Sequence, residues 1–137
     1  MTTNSENKSE RLKIPSGSKW ENIVGYSRVV RTGNVIEIAG TTATDEEGQV
    51  IGTGDPYLQT KYIFEKINGY LEKAGASMED IVRTRMYVTD ISKWQEIGRA
   101  HGEYLKTVRP AATMVEVSKL IDPELLIEIE VTAIILK

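Results

Sequence analysis

Two glutamates near the C-terminus, Glu128 and Glu130, are the carboxylates best placed to do chemistry. Residues 125–136 alternate in hydropathy, so on a strand both carboxylates would point to the same face. Arg83 and Arg85 have the same spacing in another alternating segment and could pair with them on a salt-bridged surface. The alternative is a carboxylate in a pocket that orients a water molecule. The spacing leaves both interpretations open.

The single histidine, His101, lies between Ile97 and Tyr104 on the apolar stripe of a predicted helix. This position favours a packing role over acid–base chemistry. With one histidine and no cysteine, the chain has no thiolate zinc site, no cysteine nucleophile and no two-histidine metal site of its own. No glycine-rich phosphate loop is present either, since the glycines at 52 and 54 match no such motif. We therefore expect no metal and no cofactor.

The elements that position these residues follow from hydrophobic periodicity. Residues 27–31 and 35–40 predict a hairpin closed by a turn at 32–34, and residues 45–48 predict a second turn. Three later segments predict strands, with Val82, Met86 and Val88 expected on one face of the first. These strands are residues 81–89, 113–119 and 125–136.

Two helices are expected between the strands. Asp55 and Pro56 favour the start of the first, and Gly75 favours its end. Ser92 has capping-box spacing to Gln95 and predicts the start of the second. The apolar face of the first helix is Leu58, Tyr62, Ile63, Ile67, Tyr70 and Leu71, and that of the second is Trp94, Ile97, His101 and Tyr104.

This order of elements predicts an α+β fold with one mixed sheet and two helices on one face. The other face would then carry charged side chains among apolar ones. Such a surface suits neither water nor a dry core, and it favours a subunit interface with enclosed polar pockets. We divide the chain into a flexible N-terminal arm, residues 1–15, and a single domain, residues 16–137.

Composition limits the function classes. The net charge of −3 argues against a nucleic-acid-binding surface, which usually needs a basic excess. The N-terminal residues are polar, and no apolar run is long enough to span a bilayer. We therefore expect a cytoplasmic protein with no membrane partner.

The stretch Arg-Pro-Ala-Ala-Thr-Met-Val-Glu-Val at 109–117, followed by Leu-Ile-Glu-Ile-Glu at 126–130, resembles the signature of the RidA/YjgF family. That signature has Pro-Ala-Arg, then Ser or Thr, then a Val-Glu-Val segment, a short turn and Ile-Glu-Ile-Glu-Ala. The resemblance covers about residues 20–137. Three further landmarks match in order, at 25–27, 38–40 and 74–82.

The resemblance implies a chorismate-mutase-like fold assembled as a homotrimer, with a small-molecule pocket between subunits. The best-understood members hydrolyse enamines and imines, such as 2-aminoacrylate, to 2-keto acids and ammonia without a metal or cofactor. In them an arginine binds the substrate carboxylate through two parallel hydrogen bonds. A tyrosine and a glycine shape the site, and a glutamate on the last strand orients the attacking water.

Carried over by position, the tyrosine is Tyr26, the glycine is Gly40 and the catalytic glutamate is Glu128. The arginine position holds Ala112, followed by Thr113 at the Ser/Thr position. Alanine cannot hold a carboxylate, so the chain resembles a diverged branch of the family.

Arg109 lies three residues upstream of Ala112 and either replaces the lost charge or faces solvent. The missing arginine leaves enzymatic activity itself open. The leading hypothesis is a hydrolase of a small enamine, imine or related metabolite. A non-catalytic trimer that binds a metabolite is the first alternative, and an endoribonuclease or translation inhibitor is the second.

Overall fold

The computed structural model describes residues 11–136 of the chain. Its strands are β1 (Arg11–Ile14), β2 (Val29–Thr32), β3 (Val35–Thr42), β4 (Ile81–Val88), β5 (Ala111–Glu116) and β6 (Ile127–Ile134). Its helices are α1 (Lys19–Val24), α2 (Pro56–Lys73) and α3 (Trp94–Leu105), with 3₁₀ turns at Met78–Asp80 and Ile91–Lys93.

The six strands form one sheet in the order β1-β2-β3-β6-β4-β5. Only β4 and β5 run parallel, and every other neighbouring pair is antiparallel. The two long helices, α2 and α3, pack together on one face and bury the apolar side of the strands. The predicted α+β fold, a mixed sheet with two helices on one face, is therefore confirmed.

Several local predictions are also confirmed. The β2–β3 hairpin turns at Gly33, which adopts a left-handed φ of 61°. Helix α2 begins after Asp55, whose Oδ1 accepts a hydrogen bond from the Leu58 N–H at 3.1 Å. The chain leaves this helix through Gly75, whose φ of 85° few other residues adopt without strain.

Two elements were not predicted. Residues 1–10 of the expected arm lie outside the described residues, but Arg11–Ile14 pair with β2 as an edge strand, from Arg11 opposite Thr32 to Ile14 opposite Val29. Helix α1 is a single short helix capped by the Ser18 side chain. Both elements are short, and short elements carry little periodicity to read.

The predicted buried stripe of α2 is right at Ile63, Ile67 and Leu71, which are fully buried, but wrong at its first position. Leu58 is 49% exposed, whereas Gln59 is fully buried. The Gln59 amide tolerates burial because it is hydrogen-bonded: Oε1 accepts from the Leu126 N–H at 2.9 Å, and Nε2 donates to the Glu124 carbonyl at 3.0 Å. The prediction also omitted Phe64, which is fully buried.

Three further side-chain assignments were wrong. Trp94 is 55% exposed, because it begins α3 and the buried stripe starts only at Ile97. Val82 is 42% exposed, because a register shift between Ile81 and Arg83 turns it out of the buried face. Ser92 is not the cap of α3. It lies in the preceding 3₁₀ turn, where its N–H and hydroxyl both donate to Asp90.

Candidate functional site

Glu128 lies in the middle of the sheet, opposite Thr42 of β3 on one side and Tyr87 of β4 on the other. Its carboxylate covers the α-carbon of Gly40, such that a Cβ at position 40 would overlap Oε2 and lie 2.9 Å from Cδ. A side chain at position 40 would have to displace this carboxylate, and glycine leaves room for it. The structure therefore brings together two of the residues that the sequence placed in the site.

The close approach depends on an irregularity in β3. The β3–β6 register shifts between Ile38 and Thr41, so Ala39 and Gly40 form a bulge. Bulges re-aim side chains and open the local ladder, which is why they recur beside active sites. Here the bulge carries Gly40 under the Glu128 side chain.

The electrostatics of Glu128 combine burial with a nearby cation. Half-burial raises the pKa of Glu128 above its ordinary value, because a charged carboxylate loses hydration there. The positive charge of Arg28 opposes this rise in pKa, while the negative charge of Glu130 adds to it. Glu128 is thus a partly desolvated carboxylate whose pKa is raised mainly by burial.

Arg28 is the component of the site that sequence reasoning missed. Its side chain is only 8% exposed, although arginine is seldom buried. Nη1 donates to the carbonyls of Ala39 at 3.1 Å and Gly40 at 2.7 Å, and to the Thr41 hydroxyl at 3.1 Å. Arg28 therefore clamps the bulge that lies under Glu128.

Two tyrosines enclose the same guanidinium. Nη2 of Arg28 lies 3.3 Å from the Tyr26 hydroxyl, and its Cζ lies 5.6 Å from the Tyr26 ring and 5.8 Å from the Tyr70 ring. Such cation–π contacts are favourable when they are desolvated. Within the part of the chain that the structure describes, the buried Nε has no hydrogen-bond partner. Tyr26, the third predicted site residue, thus contacts Arg28, which in turn holds the Gly40 carbonyl.

Lys66 of α2 reaches the end of the same bulged strand. Its Nζ donates to the carbonyls of Thr42 at 2.7 Å and Thr44 at 2.9 Å. Burial, together with the charge of Arg28, lowers the pKa of Lys66 to about 8. Two cations, Arg28 and Lys66, therefore hold the carbonyls on either side of Thr41.

Of the two interpretations left open for Glu128 and Glu130, ion pairing with Arg83 and Arg85 on the outer face does not form in the described chain. Within residues 11–136, no ion pair within 4.0 Å joins them. The Tyr87 hydroxyl donates to Glu130 at 3.2 Å, Arg83 donates to Thr113 at 2.7 Å, and Arg85 lies 3.5 Å from Thr132. Neutral partners thus occupy this face, and Glu128 is left without a cation in direct contact.

The remaining predicted site residues, Arg109, Ala112 and Thr113, lie elsewhere in the chain. Ala112 and Thr113 are exposed on the edge strand β5, which β4 separates from β6. Arg109 is exposed, and its backbone has a left-handed φ of 56° with its N–H bonded to the Leu105 carbonyl at 2.9 Å. A single chain does not bring these three residues to Glu128.

His101 has the packing role expected for it. Its Nε2 lies 2.9 Å from the Thr84 hydroxyl, and its ring meets Phe64 edge-on at 5.6 Å. Burial lowers the pKa of His101, so the neutral imidazole is favoured. The residue belongs to the contact between the helices and the sheet.

A separate small cleft lies at the start of α2 and α3. It encloses about 120 Å³ and is lined by Gly54, Pro56, Thr89, Asp90, Lys93, Ile97 and Leu126. None of the predicted site residues borders it.

Across residues 11–136 no cluster of three histidines or carboxylates could hold a metal ion. In the same range, no helix has the length and apolar character needed to cross a membrane.

Comparison with known proteins places this arrangement in context. The family model described as Endoribonuclease L-PSP matches residues 17–135. A solved structure from Mycobacterium tuberculosis, described as a member of the YjgF/YER057c/UK114 family, is 44% identical, with a TM-score of 0.84 over 92% of this chain and 100% of that one. A RutC family protein of Pyrococcus abyssi is 38% identical over 108 residues, 79% of this chain and 84% of its own. The 3-aminoacrylate deaminase RutC of Acinetobacter baylyi is 31% identical over 120 residues, 88% of this chain and 94% of its own.

Proposed function

Because the chain belongs to the RidA/YjgF family, we propose that it hydrolyses a small enamine or imine with water at the Gly40–Glu128 site. The observation that carries the proposal is the Glu128 carboxylate, half-buried over Gly40 and without an ion-pair partner within residues 11–136. A carboxylate with a pKa raised by burial is a better base than an exposed one. The proposal places the reaction in the cytoplasm and gives it no cofactor.

In the proposed reaction, an enamine first tautomerises to its imine. Glu128 then accepts a proton from water as the water oxygen bonds to the imine carbon. The nitrogen is protonated and leaves as ammonia, while the remaining hydroxyl loses its proton to form the carbonyl. One imine and one water give one carbonyl compound and one ammonia, so the reaction balances without an oxidant or reductant. Tyr26 would line the ligand pocket beside Arg28.

The proposed pocket is completed by a second copy of the chain in a homotrimer. Within one chain Arg109, Ala112 and Thr113 lie on or before β5, away from Glu128, so they join the site only from a neighbouring subunit. The mixed outer face of the sheet supports such an interface. Light scattering should give about three times the chain mass of 15.3 kDa. A monomer at micromolar concentration would exclude this pocket.

A non-catalytic metabolite-binding trimer is the second candidate. Ala112 favours it, because this position holds the substrate-binding arginine in the hydrolases that the chain resembles. The two candidates predict different behaviour toward the same compounds, so one set of assays separates them.

The direct test is the loss of 2-iminopropanoate and of 3-aminoacrylate above their spontaneous rates. The second compound is chosen because it is named in the A. baylyi relative. We expect the wild type to accelerate the loss of 2-iminopropanoate weakly at most, because Ala112 lacks the arginine side chain, and Glu128→Gln to accelerate the loss of neither compound. If pyruvate binds while neither compound is hydrolysed, the protein is a binder. RNA cleavage that survives repurification would instead support a nuclease.

A further inference from the structure

Arg28 lies just before β2 and is the most deeply buried cation of the site, with 8% of its surface exposed. Burying an unpaired charge costs free energy unless hydrogen bonds or counter-charges compensate for it. Within residues 11–136 no carboxylate lies within 4.0 Å of its guanidinium. The compensation comes instead from backbone carbonyls, a hydroxyl and two aromatic rings, which points to a specific role for the residue.

We propose that Arg28 is the positioning residue of this site: it clamps the Ala39–Gly40 bulge on which the Glu128 carboxylate rests, and its bond to the Gly40 carbonyl holds its positive charge beside that carboxylate. The inference rests on the proposed function for its catalytic meaning. The clamp of Arg28 on the bulge rests on hydrogen-bond geometry, so it is tested without any substrate.

The clamp follows from the hydrogen bonds. Nη1 of Arg28 holds the carbonyl oxygens of Ala39 and Gly40, the two residues of the bulge, and also the hydroxyl of Thr41 that follows them. A bulge lacks some of the ladder bonds that fix a regular strand. Arg28 replaces them, and the position of Gly40 determines how closely the Glu128 carboxylate can approach.

The charge acts on both titrating neighbours. Arg28 lowers the pKa of Glu128 and also that of Lys66, because a cation stabilises the less positive form of each. Burial acts differently, since it raises the pKa of the carboxyl and lowers that of the amine. The other groups that face Glu128 are Glu130 of β6 and Tyr87 of β4.

These opposite effects make the test diagnostic. Replacing Arg28→Gln removes the charge but keeps an amide that can donate to a carbonyl. The pKa values of Glu128 and Lys66 should then both rise, as read by NMR titration of the labelled carboxyl and amine. If the substitution merely loosened the packing, hydration would return, and the pKa of Glu128 would fall toward its ordinary value while that of Lys66 rose.

Arg28→Lys separates the clamp from the charge. It keeps the positive charge, so the Glu128 pKa should stay near that of the wild type, but its ammonium is one bond nearer to the backbone than Nη1 and does not reach all three acceptors. The amide signals of Ala39, Gly40 and Thr41 should shift, because the clamp is lost. This variant also keeps the inference testable if Arg28→Gln does not fold, since unmoved amide signals in Arg28→Lys would overturn the clamp.

Arg31→Gln is the matched control. Arg31 lies on β2, three residues after Arg28, and also binds backbone carbonyls, donating to Gly33 at 2.8 Å and to Ala74 at 2.6 Å. Its loss should leave the pKa of Glu128 unchanged. A fall in that pKa in Arg28→Gln, or equal shifts in both variants, would refute the inference. A protein with no hydrolase activity that still gave the expected shifts would refute the proposed function alone.

Discussion

The Glu128 carboxylate occupies the space that any side chain at Gly40 would need. Gly40 is not among the glycines with a left-handed φ, so its backbone conformation does not demand glycine. The requirement is steric and comes from a residue on β6, the adjacent strand of the same sheet. The identity of residue 40 and the position of the proposed base are therefore coupled.

This coupling predicts a non-additive pair of substitutions. Gly40→Ala should lower the free energy of unfolding by about 1 kcal/mol, the low end of the cost of overpacking, because the overlapping atoms are the movable end of the Glu128 side chain. In a Glu128→Ala background the same change should cost much less, because the overlapping carboxylate is gone. Urea titration of the four proteins measures the coupling. Equal costs in both backgrounds would show that Glu128 does not rest on Gly40.

A helix glycine provides the control for the same chemical change. Gly69 lies in α2, and a Cβ there would meet nothing within 4 Å. Gly69→Ala should raise the free energy of unfolding by about 1 kcal/mol, because alanine has the higher helix propensity. The opposite signs at positions 40 and 69 distinguish the steric effect from a general effect of alanine.

The burial of Glu128 predicts a pH-dependent gain in stability for Glu128→Gln. The pKa of Glu128 is higher in the folded protein than in the unfolded chain. The free energy of unfolding that Glu128 contributes is therefore fully present below the unfolded pKa of about 4.5, and it is lost as the pH rises through the folded pKa. Glutamine cannot ionise. The melting temperature of Glu128→Gln should therefore exceed that of the wild type at pH 7, and the difference should vanish below pH 4.5.

The exposed Glu47→Gln is a control for the loss of one negative charge. It should not reproduce the widening difference in melting temperature between pH 4 and 7. A Glu128→Gln protein that is less stable than the wild type at pH 7 would indicate that the carboxylate has a favourable partner. The carboxylate would then be structural, and its proposed role as a base would be weakened.

The alanine at the arginine position predicts that a single substitution improves hydrolysis. Ala112→Arg should increase kcat/KM for 2-iminopropanoate, because a guanidinium supplies two hydrogen bonds to the substrate carboxylate. Ala111→Arg, one position earlier on the same edge strand, is the control for added charge. Equal rates in both variants would show that position 112 does not face the ligand.

Much of the fold could be predicted from the sequence, because local signals encode it. The hairpin turn at Gly33 and both ends of α2 depend on residues that act within one turn of themselves. Strand alternation also placed Glu128 and Glu130 correctly on one face of the sheet. Val82 was misplaced because a register shift on β4 is invisible in the alternation of either strand.

The site was harder to predict for a related reason. An arginine between Ser27 and Val29 reads as a solvent-facing residue, and its burial depends on carbonyls at 39 and 40 in the next strand. Those carbonyls are available only because the strand bulges there. A glycine within a strand pattern is the one local signal that could have suggested the bulge, and hence the partner of Arg28.

The last prediction concerns Arg109, whose left-handed backbone is unusual for a residue with a side chain. Arg109→Gly removes a conformational strain of about 1–2 kcal/mol but makes the unfolded chain more flexible, so stability should change little or rise slightly. Arg109→Ala keeps the strain and should be no more stable than the wild type.

If Arg109 reaches the site of a neighbouring copy, both variants should weaken pyruvate binding by about 1.5–3 kcal/mol, the range for hydrogen bonds to charged groups. Arg109→Lys should then recover part of the affinity, because it restores the charge without the planar donors. Calorimetric titration with pyruvate measures these affinities, and light scattering verifies assembly in each variant. Wild-type affinity in both Gly and Ala variants would remove Arg109 from the site and leave Arg28 as its nearest cation.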